Sequence, residues 1–258
     1  MVMSDFDLVD QVIIVTGAAG GIGSEMCREF ASAGATVILA GRTEESLEAV
    51  ASELGDIRAH VVPTDITDPE SVQNLIDTTV DTFGRVDVMV NNAGAGVMPC
   101  EAEDTPYDDW VRMIDVNLTA TFNCCMAAGK QMIRQKAGKI INISSTAGTK
   151  GHPGMLHYSA AKAGVLSLTN NLAYNWAKYN ICVNAVAPGL IATPAMIKYG
   201  VIPPSKTEDG EEVPRLTLPP GPEDVASMCR FLASPAANMI TGEAIPVRAF
   251  NLMDRFWN

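Results

Sequence analysis

The chain has 258 residues, enough for one large α/β domain or two small ones, and its 47% hydrophobic content against 19% charged residues can supply a sizeable core. A net charge of −12 and a pI near 4.6 argue against a nucleic-acid-binding protein or a basic membrane-surface protein. No apolar run is long enough to cross a membrane, and residues 1–10 carry three aspartates and no basic residue, so a cytoplasmic protein without membrane partners is expected. Six cysteines (Cys27, Cys100, Cys124, Cys125, Cys182 and Cys229) form no CxxC pair and have no histidine at metal spacing. They read as reduced core thiols, and no metal site is assigned.

Short β-branched runs alternate with longer amphipathic segments. Strands are predicted at 12–15, 36–40, 59–63, 86–90, 139–143, 182–185 and 244–247, with helices at 23–33, 44–54, 69–83 and 158–179. Several strands are continuous apolar runs, as parallel strands covered on both faces require. The alternation specifies an α/β fold, a doubly wound parallel sheet with right-handed crossovers. No repeat or linker interrupts it, so residues 1–258 read as one dinucleotide-binding domain. Residues 195–222 stand apart, rich in proline and charge and without strong periodicity. They are either a surface insertion or a substrate lid, and their place after a late strand favours the lid.

The first strand runs into Thr16-Gly17-Ala18-Ala19-Gly20-Gly21-Ile22-Gly23 and then a helix. Gly17 permits a tight turn, Gly21 lets the backbone approach a pyrophosphate, and Gly23 allows close helix–strand packing, while the helix N-terminus offers free amides to the anion. The spacing is GxxxGxG rather than GxGxxG. Further along lie Asn91-Asn92-Ala93-Gly94 after the fourth strand and Ser145 at the end of the fifth. Tyr158 and Lys162 then stand in YxxxK spacing, and Pro188-Gly189 precedes Ile191 and Thr193.

In this order the motifs resemble those of the single-domain short-chain dehydrogenase/reductases, from about residue 12 to 247. The resemblance implies a Rossmann-like sheet of seven strands in the order 3-2-1-4-5-6-7 with helices on both faces. It implies an NAD(P)-dependent oxidoreductase acting between a carbonyl and a secondary alcohol. Cofactor contacts would come from Gly17, Ala19, Gly20, Gly21, Ile22, Gly23, Asn91, Ala93, Gly94, Tyr158, Lys162, Pro188, Gly189, Ile191 and Thr193. Asp65 would bind the adenine amino group with Ile66 beside it, and Asn117 would hold a water that links Lys162 to solvent. The helical segments 116–135 and 158–179 would form subunit contacts in a homotetramer, or else a dimer.

The chemistry follows from the residue types. Tyr158 and Lys162 are four apart on a helical pattern and share a face. A phenol with its ordinary pKa of ~10 is a poor base at neutral pH, and a neighbouring ammonium is expected to lower it. Tyr158 would then exchange a proton with the substrate oxygen. Ser145 would hydrogen-bond that oxygen; Ser144 competes for the role, and the family's spacing of thirteen residues before the tyrosine selects Ser145. Substrate contacts are assigned to Ser145, His152, Leu156, Tyr158, Gly189 and Leu190. Ala95, Gly96, Val97, Thr146, Met155 and residues 196–201 complete a mainly apolar cleft suited to a hydrophobic ketone, a steroid-like alcohol or a 3-oxoacyl thioester. No chemical role is assigned to His157, and His60 is read as structural.

The end of the second strand reads Ala40-Gly41-Arg42-Thr43, with no carboxylate to receive a ribose 2′-hydroxyl. Arg42 suits a 2′-phosphate and Thr43 adds a hydroxyl, which favours NADP over NAD. The opposing reading lays Arg42 over the adenine of NAD, and Glu44 and Glu45 follow at once. The family's usual Asp-Gly-Gly after the last strand is replaced by Arg248-Ala249-Phe250. Phe256 and Trp257 in the tail are expected to pack on a neighbouring subunit or over the cleft. Two other classes remain open at this point: a dinucleotide sensor without turnover, and a lyase or isomerase on the same scaffold.

Overall fold

Five successive side chains of β1 (Val12–Thr16) are buried, because this strand lies at the centre of the sheet and is covered on both faces. The computed structural model describes residues 6–55, 58–96, 99–206 and 209–250. After β1 come α1 (Gly21–Ser32), β2 (Thr36–Gly41), α2 (Glu44–Leu54), β3 (Ala59–Pro63), α3 (Pro69–Phe83) and β4 (Val88–Asn91). The second half contains α4 (Tyr107–Ile114), a π-helical turn over Asp115–Thr119, α5 (Ala120–Gln135), β5 (Gly138–Ile143), α6 (Thr146–Lys150) and α7 (Leu156–Trp176). The chain closes with β6 (Ile181–Pro188), α8 (Pro194–Lys198), α9 (Pro222–Ala233) and β7 (Ala244–Val247).

All strand pairs are parallel, in the order β3-β2-β1-β4-β5-β6-β7, the order implied by the family resemblance. Alternation along β1 divides the core. Ile13 and Val15 face the side covered by α1 and α9, with Phe30, Leu47, Val225 and Leu232. Val12 and Ile14 face the other side, with Leu75, Ile76, Met132 and Leu172 of α3, α5 and α7. Buried Cys27, Cys124, Cys125 and Cys229 fill these layers as free thiols. Burial pushes Cys27, Cys124 and Cys229 up to about 12.

Two helices have the bounds read from the sequence, α2 and α3, and α3 shows why. Asp68 accepts a hydrogen bond from the Glu70 amide, Pro69 opens the first turn, and Gly84 ends the helix in the left-handed conformation. β4 begins two residues later than predicted. Val86 is held by the Gln135 side chain, which accepts from its amide (3.0 Å) and donates to its carbonyl (2.9 Å), so its backbone is not available to a neighbouring strand. Asn91 pairs with Asn142 of β5 and is the last residue of the strand, not the first of the loop. Segment 195–222 is not featureless: it begins within α8, carries an isolated bridge between Lys206 and Glu212 and a 3-10 turn at Arg215–Thr217, and runs into α9. α9 was not among the predicted helices. Glu208 of this segment, Val97 of the cleft, and Phe256 and Trp257 of the tail lie outside the described residues.

A buried polar ladder crosses the sheet beneath the site. Asn91 Nδ2 donates to Asn142 Oδ1 (2.8 Å), and Asn142 Nδ2 donates to Thr169 Oγ1 (2.9 Å), tying β4, β5 and α7 together. Replacing Asn142 by alanine breaks both links, leaving Asn91 Nδ2 only the Cys125 sulfur (3.2 Å) and Thr169 Oγ1 only the Val165 carbonyl (2.8 Å). An Asn142→Ala variant is expected to lose about 3 kcal/mol of stability. Calorimetry should therefore show a Tm lower by roughly 6–12 °C; an unchanged Tm would contradict the ladder's role.

Candidate active site

The glycine turn is held from across the sheet. Thr16 Oγ1 donates to the Val90 carbonyl (3.3 Å) and accepts from the amides of Asn92 (3.0 Å) and Ala93 (3.1 Å). Asn92 Nδ2 donates back to the carbonyls of Thr16 (2.9 Å) and Gly17 (3.2 Å). Gly17 has φ +65°, and a Cβ there would come within 2.9 Å of Ala93 Cα, so both the turn and the approach require glycine. Gly23 packs against the Gly17 carbonyl and the Asn92 side chain, so its close contact is with the turn and not with a strand as expected. Thr16 and Asn92 carry this geometry although neither was predicted as a site residue.

α1 starts at Gly21 behind Gly20, which supplies no capping side chain, and its first turn has no acidic residue. Its first amides are therefore left for an external anion, with no carboxylate in that turn to repel it. Ala19 and Gly20 are exposed at the tip. At Gly94 an added Cβ would come 2.7 Å from Asn117 Oδ1 and 3.5 Å from Lys162 Nζ. A bare backbone at Gly94 thus opens the route from the glycine turn to the lysine. These features fit a dinucleotide.

At the end of β2, Arg42 and Thr43 are exposed. Asp65 accepts from the amide (3.0 Å) and hydroxyl (2.7 Å) of Thr67. Those bonds, with a further contribution from Arg42, hold its carboxyl below the ordinary carboxylate range. Ile66 is half-buried and packs against the core. The Asn91 side chain turns into the core ladder, so contact with a cofactor would fall to its main chain.

β5 delivers two serines with different surroundings. Ser144 is buried, and its hydroxyl donates to the Lys162 carbonyl (2.8 Å). Ser145 caps α6 by accepting from the Ala147 amide (3.1 Å) and faces the cavity. This division separates the two candidates that the sequence set side by side. Lys162 Nζ donates to the Ile143 carbonyl (2.9 Å) and lies 5.7 Å from the centroid of the Tyr158 ring. Burial lowers Lys162 to about 8. Burial also raises the Tyr158 phenol, and a hydrogen bond with Ser145 opposes this. The expected lowering by Lys162 does not prevail, because the ammonium sits over the ring with one proton committed to a carbonyl, while desolvation disfavours phenolate.

Asn117 lies on the π-helical turn, buried. Its Nδ2 donates to the carbonyls of Ala95 and Met113 (both 3.2 Å), and its Oδ1 accepts from the Ala95 amide (3.2 Å). Its side chain thereby fixes the loop after β4. Asn117, Ser145, Tyr158 and Lys162 line one cavity of about 300 Å³, together with Ile22, Gly94, Pro188, Gly189, Leu190, Ile191 and Thr193. Met196 of the expected cleft lines it too, as do Asn92 and Ile143, which were not predicted. His152 and Leu156 are not among its lining residues; His152 Nδ1 lies 2.7 Å from the Pro153 carbonyl, and Leu156 is exposed. Buried His157 leaves Nδ1 without a partner, and His60 stacks edge-on against Phe83. Among the described residues no cluster of His, Cys, Asp or Glu could hold a metal, and no helix is long and apolar enough to cross a membrane.

The sequence profile of the short chain dehydrogenase family matches residues 11–200. A 3-oxoacyl-[acyl-carrier-protein] reductase from Synechocystis sp. is 40% identical over 254 residues, covering 93% of this chain and 96% of that protein. An NAD-dependent glycerol dehydrogenase from Listeria innocua is 35% identical, covering 93% and 92%. A solved short chain dehydrogenase from Bacillus anthracis superposes with a TM-score of 0.82 at 34% identity, covering 96% and 98%. These relatives are named as oxidoreductases, which sets aside the sensor and the lyase or isomerase. With a profile match over most of its length and relatives that align nearly end to end, the chain belongs to the short chain dehydrogenase family and is an NAD(P)-dependent oxidoreductase.

Proposed function

We propose that the protein is an NADPH-dependent reductase of ketones or 3-oxoacyl thioesters, with Tyr158 as acid/base, Ser145 on the substrate oxygen, and Lys162 and Asn117 in support. The observation that carries this reading is the convergence of the four side chains on one cavity beside the uncapped start of α1. NADPH, when bound, supplies the hydride. Tyr158 passes its proton to the carbonyl oxygen as charge develops there. Its raised phenol is in the acid form at neutral pH, the form a reduction needs. Ser145 donates a hydrogen bond to the same oxygen. The Lys162 ammonium stabilises the phenolate left behind, and Asn117 serves the route by which the proton returns.

NADPH is preferred to NADH because Arg42 is exposed at the end of β2, where no carboxylate stands. Residues 195–222 act as the lid, since Thr193 and Met196 line the cavity and Thr193 caps α8 by accepting from the Met196 amide (3.3 Å). The chain works as one domain in the cytoplasm, which suits its six free thiols. It assembles as a homotetramer, with a dimer as the alternative; exposed Tyr107, Phe122 and Tyr174 on α4, α5 and α7 support association there. The substrate is a small molecule, because exposed Asp209, Glu211 and Glu212 in the lid would repel an acidic carrier protein.

Three measurements check this reading. Tyr158→Phe is expected to lower kcat for ketone reduction by about 10²–10⁴-fold while NADPH still binds in a fluorescence titration; retained turnover would refute the acid/base role. Arg42→Asp should shift the ratio of kcat/KM for NADPH over NADH towards NADH, and an unmoved ratio would refute the cofactor preference. Lys162 is charged below about pH 8 and loses its proton as pH rises through that value. The rate of reduction should therefore fall above pH 8, whereas a profile flat to pH 10 would contradict the need for the ammonium.

A further inference from the structure

β6 and β7 pair with Pro188 opposite Val247, and the Gly189 amide donates to the Val247 carbonyl (2.9 Å). Arg248 is thus the first residue beyond β7, at the same C-terminal edge of the sheet as the catalytic set. A Cβ on Gly189 would come within 2.9 Å of Arg248 Cβ and 3.8 Å of Thr146 Oγ1. The arginine stem therefore packs behind a residue of the cavity wall, while Arg248 itself is not one of the lining residues.

Among the described residues nothing answers its charge. Arg28, Arg85, Arg112, Arg215 and Arg230 each pair with a carboxylate, as expected in a chain with 30 acidic and 18 basic residues. Arg248 has no hydrogen-bonding or ionic partner among the described residues, and its Nε is buried without an acceptor. The guanidinium carbon lies 4.9 Å from the centroid of the Phe250 ring, and the Phe250 amide donates to the Leu216 carbonyl (3.2 Å). An aromatic face holds a guanidinium in one plane and leaves its edge donors for a planar or tetrahedral anion. A buried donor with no acceptor is unfavourable until something supplies one. Among the residues lining the cavity, Lys162 is the only charged one, and it is committed to the Ile143 carbonyl.

We infer that Arg248 is a specificity residue that binds an anionic group of the substrate, either a carboxylate or a phosphate carried by the ketone. The inference rests on the reductase reading above and adds the charge of the substrate to it. The lid takes part, because Phe250 links the arginine to the 3-10 turn at Arg215–Thr217.

The test compares charged and uncharged forms of one acyl group in NADPH-driven reduction by the full-length protein. One pair is a short 3-oxo acid and its methyl ester; the other is the coenzyme A thioester and the N-acetylcysteamine thioester, which lacks phosphate. Arg248→Gln is expected to lower the charged-to-uncharged ratio of kcat/KM by about 30-fold in at least one pair, mainly through KM, with Arg248→Lys recovering part of it. A fall confined to the first pair assigns a carboxylate, and one confined to the second assigns a phosphate. If both members of each pair change by the same factor, or neither changes, Arg248 does not read charge and the inference is overturned. A wild-type protein that reduces none of the four overturns the reductase reading as well, which is a distinct result. Arg248→Lys keeps the test open if Arg248→Gln fails to fold, since a charge without a planar fork should still lower the ratio.

Discussion

An ammonium buried in the protein interior must find acceptors or lose its proton, and the site is organised around how Lys162 meets that constraint. Its bond to the Ile143 carbonyl is one of three links to α7 from consecutive residues, two at the end of β5 and one just beyond it. Asn142 holds Thr169 one step below, and Ser144 holds the Lys162 carbonyl one step above. The helix cannot slide or rotate against the strand without breaking all three. Tyr158, one turn before the lysine, is thereby fixed beside Ser145, the next residue after this stitched stretch. Residues outside the proposed catalytic set thus fix the distances within it.

The same arrangement explains the division of labour between the hydroxyls. Successive residues leaving a strand point to opposite sides, so Ser144 and Ser145 cannot share a function. The inward serine is consumed in packing α7, and the outward one reaches the cavity. Burial acts on the acid and the base in opposite senses, raising the phenol and lowering the ammonium, so both shifts favour their uncharged forms. The phenol therefore keeps its proton at neutral pH, as the proposed reduction requires, and the lysine is brought close to neutrality.

Much of this was legible in the sequence because it depends on local chemistry. Apolar β-branched runs mark the strands, and the Asp68-Pro69 start and Gly84 stop mark α3. The convergence of Ser145, Tyr158 and Lys162, the proposed catalytic set, on one cavity was legible through their spacing. What escaped depends on contacts between distant segments. The late start of β4 follows from Gln135 bonding to Val86, 49 residues away. The π-helical turn that carries Asn117 has no distinct periodicity to read, and the inward turn of Asn91 follows from Asn142 on a neighbouring strand. α9 was missed although its signals are ordinary, with Pro222 in the first turn followed by Glu223 and Asp224, because the proline-rich stretch before it obscures the start. The rise of the Tyr158 phenol could not be read from a neighbouring lysine alone, since it depends on how deeply the ring is buried.

The lacing of the glycine turn has a consequence for the order in which the molecule assembles. Thr16 and Asn92 are 76 residues apart, and the bonds between them bridge the first and fourth strands with two strands and three helices in between. A nascent first βαβ unit contains every glycine of the turn yet lacks the partners that set its shape. Closure of so long a loop carries a large entropic penalty, which is offset only when β4 docks. The capacity to hold a dinucleotide is therefore a late, cooperative property of the sheet, acquired when its centre is completed and not when its signature sequence leaves the ribosome.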